Sequence, residues 1–206
     1  LVLSKGISER MAVDWTIIHD KSAEECKASL GKEGWADDYD IIVYNLCHAK
    51  ETDSAFIDSV AAVHHAGKPA VAIHCTMHSF HWNVEVAEGE EKTWCEFLGV
   101  SSKGHGPKKA ITLNKTDAGK EHPVTADLPE GWTTPEGELY NVQRVLEGTT
   151  VLAYGDNGKD VKPNEPQASI WVNTYGKGRV MCTTIGHHNS TMKTEEYLDL
   201  IANGMK

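Results

Sequence analysis

Cations are scarce in this chain. Twenty Lys and Arg stand against thirty Asp and Glu, a net charge of −10. Phosphate binding needs clustered basic residues, and none occur, which sets nucleic-acid binding aside. Long apolar runs are missing too, so no stretch approaches membrane-spanning length, and no signal peptide is visible. The five cysteines, at 26, 47, 75, 95 and 182, are odd in number, widely spaced and without a Cys-x-x-Cys. That is no disulfide framework. Cys47 and Cys182 lie in or beside apolar runs and read as small core residues.

Histidine, in contrast, is plentiful: eleven in 206 residues, of which 40% are apolar, enough for one domain with a substantial core. The most informative stretch runs from Lys68 to Trp82. Ala70 to Ile73 is an apolar run that follows a Gly-Lys-Pro break and stops at His74, Cys75, His78 and His81. Such a run reads as a strand buried on both faces. In open α/β sheets the ligand crevice lies just outside the carboxyl ends of these strands.

The order of elements is α/β. Met11–His19 reads as a first strand and Tyr39–Leu46 as a second, richer in β-branched residues. Asp53–Ala66 has Phe56, Ile57, Val60 and Ala61 on one helical face, closed by Gly67 and Pro69. His64 and His65 at its end complement the helix dipole. With the strand at Ala70–His74 this makes a βαβ unit and hence parallel strands. A helix over Glu90–Leu98 follows, then short strands at Ala110–Asn114 and Thr150–Tyr154 with a polar, Pro-rich loop from Glu121 to Tyr140 between them. Ala168–Tyr175 and Gly178–Thr184 form a hairpin across Tyr-Gly-Lys-Gly, and Thr194–Ala202 is a closing helix. The expected fold is a mainly parallel sheet with helices on both faces and an antiparallel addition near the end.

Four polar positions fall at strand ends or in loops: His74 (with His78), His105 in Lys-Gly-His-Gly-Pro, Glu138 in Gly-Glu-Leu-Tyr, and His187 in Thr-Thr-Ile-Gly-His-His. His74 and His187 follow buried strands and should reach one rim. Imidazoles with a carboxylate suit a divalent cation that keeps an open position, zinc or manganese rather than Ca²⁺ or Mg²⁺. The same groups without a metal make a general acid–base pair. Spacing does not decide, because the four match no compact motif. Blander readings stand beside these: His74 as a hydrogen-bonded strand cap, Glu138 as an ordering residue of its loop, His78, His81 and His188 as supporting or surface residues, and His122 as a turn residue. His19 and His48 end the first two strands and have weaker claims on the crevice. Trp82, Trp171 and Tyr175 read as core or lid residues.

An ordered set of segments carries a family resemblance. Gly67-Lys68-Pro69 through His74, Phe97-Leu98-Gly99, Gly104-His105-Gly106-Pro107, His122-Pro123-Val124, Leu128-Pro129, Glu138-Leu139-Tyr140, and Tyr175-Gly176-Lys177-Gly178-Arg179-Val180 with Gly186-His187 resemble the ThuA-like (trehalose utilisation) family. The resemblance implies one ThuA-like α/β domain over residues 1–206, its first family strand lying upstream of Leu1. It also implies a flavodoxin-like sheet of the class I glutamine amidotransferase type. In those amidotransferases a cysteine sits at the turn after the central strand. His74 falls at about that place here and Cys75 one residue late, which turns the thiol elsewhere.

The family further implies sugar metabolism, in the form of chemistry on oxidised (3-keto) glycosides made by a partner sugar dehydrogenase. His74, His105 and His187 would be ligands or electrophiles and Glu138 a ligand or base. The rivals are a Cys–His hydrolase or amidase using Cys75 with His187 or His105, and a non-catalytic carbohydrate-binding accessory domain. Localisation is expected to be soluble: cytoplasmic, or exported if a leader has been removed.

Overall fold

The computed structural model describes residues 2–206. Its elements, in chain order, are α1 (Val2–Ser8), α2 (Ala23–Leu30), β1 (Ile42–Tyr44), α3 (Ser54–His65), β2 (Ala70–Ile73), a 3₁₀ turn (His74–His78), α4 (Thr93–Leu98), β3 (Val100–Lys108), β4 (Thr112–Lys115), α5 (Asp117–Glu121), β5 (Glu138–Val145), β6 (Thr150–Asp156), β7 (Gln167–Tyr175), β8 (Gly178–Thr183), α6 (Asn189–Met192) and α7 (Glu195–Met205). One six-stranded sheet has the order β1-β2-β8-β7-β6-β4, and β3 and β5 form a separate ribbon. β1, β2 and β8 run parallel, and β7, β6 and β4 extend the sheet antiparallel. This is the expected flavodoxin-like α/β architecture, with β7 and β8 as its hairpin.

The reason β2 lies at the heart of the sheet is written in its four residues. Ala70 and Ala72 point into one apolar cluster with Phe56, Val60, Trp94, Phe97 and Trp171. Val71 and Ile73 point into the other, with Met181, Tyr197, Leu200 and Ile201. Alternating side chains of a strand face opposite sides, so a strand with no polar residue must be covered twice. α3 and α4 supply one cover and α7 the other. α3 starts where Asp53 accepts from the Phe56 N–H at 3.2 Å, and α7 where Thr194 accepts from that of Tyr197. Each cap satisfies an N–H that the helix itself leaves unpaired.

Three expectations are corrected. Met11–His19 forms no strand: Met11, Val13 and Trp15 pack on the apolar cluster of Val71 and Ile73, and the segment lines a cavity of about 1150 Å³ together with Tyr44, Cys47, His48 and Met205. Without backbone partners, alternation alone does not make a strand. His64, in the last turn of α3, is not a charge set to complement the helix dipole. It has no exposed area, and its ring nitrogens lie 2.8 Å from Tyr44 Oη and 2.8 Å from the Lys68 carbonyl. Cys47 is exposed, whereas Cys182 is buried as expected. No helix among the described residues is long and apolar enough to cross a membrane.

Candidate active site at the carboxyl edge of the sheet

The site starts at the last residue of β2. Ile73 is still extended, but His74 turns into the left-handed region with φ 46°. A non-glycine residue held there is strained and needs its surroundings to hold it. What holds it is in part its own side chain: His74 Nδ1 lies 2.7 Å from the Thr184 carbonyl oxygen, one residue past β8. A carbonyl only accepts, so Nδ1 carries the proton and Nε2 keeps a lone pair. That lone pair faces His187 Nδ1 at 3.0 Å, Tyr140 Oη at 3.3 Å and Glu138 Oε2 at 3.7 Å.

His187 is delivered by the turn after β8. Gly186 before it has φ 128°, and a side chain there would meet Tyr197 Oη at 2.5 Å. Tyr197 in turn donates to the Ile185 carbonyl, so α7 clamps the turn from below. Glu138 opens β5, with only 4% of its surface exposed, and its Oε2 lies 3.0 Å from His187 Nδ1. Burial holds the His187 imidazole below its usual range; the Glu138 charge works against that, and His188, Lys108 and His105 add to it.

His105 comes from β3, where it pairs in register with Tyr140 of β5. Its Nε2 lies 3.6 Å from Glu138 Oε2, and its side chain is 42% exposed. Its Nδ1 is 2.7 Å from the Gly106 carbonyl and therefore donates, so in the neutral ring Nε2 is the nitrogen with the lone pair. Thus His74, Glu138 and His187 form one close cluster, and His105 stands at its mouth. Sequence reasoning missed Tyr140, which the pattern Glu138-Leu139-Tyr140 could have shown: residues two apart in a strand share a face. His78 and His105 both stack against the Tyr140 ring, at 4.1 Å and 5.9 Å between centroids. His78 is buried, and that burial pushes it down to about 3. It is a neutral supporting residue.

Among the other named positions, His81 is buried between the Ser79 and Ser102 carbonyls, and His122 accepts from the Val124 N–H as a turn residue. His48 stacks on Phe80, Trp171 is wholly buried, and Trp82 is partly exposed beside His78. Cys75 lies at the periphery. Tyr140 Oη donates to its sulfur at 3.7 Å, and its thiol is pushed up to about 12, first by hydrogen bonding to Cys47 and then by burial.

The ligand-capable atoms of His74, Glu138 and His187 all lie within 4.8 Å of one another. Neighbouring ligands of a tetrahedral zinc ion are about 3.3 Å apart, given bonds of about 2.0–2.1 Å. The observed separations of 3.0, 3.0 and 3.7 Å bracket that value. Two imidazoles and a carboxylate also leave a fourth position free. The residues present fit a borderline divalent cation.

The chain is similar in fold to several solved structures. A protein of Parabacteroides merdae described as ThuA-like superposes with a TM-score of 0.67 at 20% identity, over 98% of this chain and 81% of that one. A second, from Bacteroides uniformis and likewise described as ThuA-like, gives 0.62 at 17% identity, over 81% and 68%. A Thermoplasma acidophilum protein described as part of a GMP synthase gives 0.51 at 12% identity, over 82% and 73%. No curated protein matches the chain. The family model for ThuA, trehalose utilisation, matches residues 11–206. With nearly its whole length matched, the chain belongs to the ThuA family.

Proposed function

We propose that this protein is a sugar-metabolism enzyme acting on oxidised (3-keto) glycosides, with a divalent cation, zinc or manganese, held by His74, Glu138 and His187. The observation that carries the reading is the convergence of those three ligand atoms at a buried strand edge. The family's trehalose-utilisation description directs it to carbohydrate.

A cation held there would supply Lewis acidity toward a carbonyl oxygen. The remaining steps belong to the side chains. A keto group acidifies the neighbouring C–H, and the Nε2 of the half-exposed His105, in its neutral form, is placed to take that proton at the mouth of the site. Tyr140 Oη, between His74 and Cys75, is a donor for the oxygen on which negative charge builds. Glu138, 3.0 Å from His187 Nδ1, holds that imidazole in place. The keto group implies an upstream oxidation, hence a partner sugar dehydrogenase.

The Cys–His hydrolase reading is less well supported. The left-handed turn falls on His74 rather than Cys75, and the Cys75 thiol is held protonated.

Zinc at about a hundredfold over its Kd should stabilise the protein by about 2.7 kcal/mol, a rise in Tm of roughly 5–10 °C for a domain of this size. His74→Ala, His187→Ala and Glu138→Gln should each abolish the rise, and the rise should fade as pH drops through the imidazole range, because protonated histidine cannot ligate. An equal rise in all three variants would remove the metal from the proposal. Metal-free protein with full turnover on a 3-keto-glycoside panel would leave an imidazole acid–base pair. Zinc binding without turnover on any member would leave a carbohydrate-binding domain.

A further inference from the structure

We propose that Cys47 and Cys75 form a reversible redox pair at the rim of the site, closing to a disulfide when the protein meets a hydroperoxide. β1 and β2 run parallel with Tyr44 opposite Ala72. Three residues further along each chain stand Cys47 and Cys75. Both lie past the strand ends, Cys75 in the 3₁₀ turn that follows β2.

Beyond the strands the alignment is kept by side-chain ties. Thr76 Oγ1 donates to the Tyr44 carbonyl at 3.1 Å and accepts from the Leu46 N–H at 3.4 Å. Ser79 Oγ accepts from the His48 N–H at 2.9 Å and lies 3.3 Å from the Leu46 carbonyl. The backbone is therefore pinned on both sides of Cys47, against the segment that carries Cys75. The two side chains are in hydrogen-bonding contact, and that contact lowers the Cys47 thiol to about 6.

Access favours the same reaction. Cys47 is exposed and lines the large cavity at the β1 edge, and Cys75 is half-buried beneath it. The other cysteines, Cys26, Cys95 and Cys182, are buried. In the first step the Cys47 thiolate attacks the peroxide oxygen, giving a sulfenic acid and an alkoxide, which takes a proton to leave as the alcohol. In the second, the Cys75 sulfur attacks the Cys47 sulfur. The S–S bond forms, the S–O bond breaks, and hydroxide leaves with the Cys75 proton as water. Two thiols give up two electrons and the hydroperoxide takes them. Because Tyr140 Oη donates to the Cys75 sulfur and also contacts His74 Nε2, the state of this pair reaches the site's own hydrogen bonds. None of this depends on whether a metal binds.

The test is thiol mapping of the folded, reduced chain after treatment with tert-butyl hydroperoxide, followed by unfolding in iodoacetamide and peptide mass spectrometry. Alkylatable thiols should fall from five to three, with a linked Cys47–Cys75 peptide that dithiothreitol releases. In Cys75→Ser, with the fold checked by circular dichroism, Cys47 should remain a sulfenic acid that dimedone traps. The pair is refuted if all five thiols survive excess hydroperoxide, if Cys47 is over-oxidised or cross-linked between molecules while Cys75 stays free, or if another cysteine supplies the partner.

Discussion

Lowering the pH should destabilise this protein, and a histidine with no part in its chemistry should carry a measurable share of the loss. His64 is wholly buried in the face of the sheet covered by α3 and α4, stacked on Phe97 with 4.7 Å between ring centroids. Its Nδ1 donates to the Lys68 carbonyl and its Nε2 accepts from Tyr44 Oη, each at 2.8 Å. That pattern fits the neutral ring alone, since a second N–H would confront the tyrosine hydrogen. Burial lowers the imidazole from 6.5 to about 4, the Lys68 carbonyl opposing and the Lys68 charge adding to it.

The unfolded chain thus takes up this proton near pH 6.5 and the folded one only near 4. Between those values the unfolded state binds more protons, so stability is full above the upper one and declines as pH falls toward the lower. At 1.36 kcal/mol for each pH unit, the loss is about 3 kcal/mol, a large share of the roughly 5–15 kcal/mol typical of a whole domain.

The assay is urea unfolding at closely spaced pH values for the wild type and for His64→Gln. The variant should be less stable at neutral pH by about 1–3 kcal/mol, because a buried hydrogen-bonded pair is broken. It should also lose about 3 kcal/mol less than the wild type on going to pH 4. Parallel curves for the two proteins would show that His64 is not the proton acceptor and would refute the argument.

Gly186→Ala should lower stability by about 2–4 kcal/mol, because the added methyl meets Tyr197 Oη at 2.5 Å on a backbone of φ 128°. A Tm drop of roughly 5–15 °C by calorimetry is expected, and an unchanged Tm would show that the turn has room to relax. Tyr140→Phe keeps the ring that stacks on His78 but loses the hydroxyl beside His74 and Cys75. Its Tm and zinc affinity should hold while keto-glycoside turnover falls roughly tenfold or more; unchanged turnover would exclude the hydroxyl as a donor. Cys75→Ala should keep most of that turnover, and complete loss in a folded variant would restore the thiol as nucleophile.

What could be read from the sequence was whatever local pattern decides. Ala70–Ile73 between Gly67-Lys68-Pro69 and His74 could only be an interior strand, and a histidine at its carboxyl end had to look into the crevice. The hairpin at Tyr175–Gly178 and the helix opened by Asp53 were equally local. The β3–β5 ribbon was not legible, because Lys103-Gly104-His105-Gly106-Pro107 has the composition of a loop. Only pairing with Glu138–Val145, register shifts included, makes it a strand. Met11–His19 failed in the opposite sense: it alternates like a strand but pairs with no strand. His64 and Cys47 were misjudged for a common reason. Burial of a single side chain depends on which helix lies over it, and sequence spacing does not carry that information.

The two imidazoles in contact at this site are 113 positions apart along the chain, and the carboxylate between them comes from a ribbon outside the main sheet. In a zinc finger the ligands are near neighbours, and the ion can gather an unfolded chain around itself. Here loop-closure entropy forbids that order of events. Three distant segments must first be brought to one edge by β2, β5 and β8, and contacts of such long range form slowly and late. An ion would enter a finished molecule, so that loading it reports on folding already completed and cannot serve as its cause.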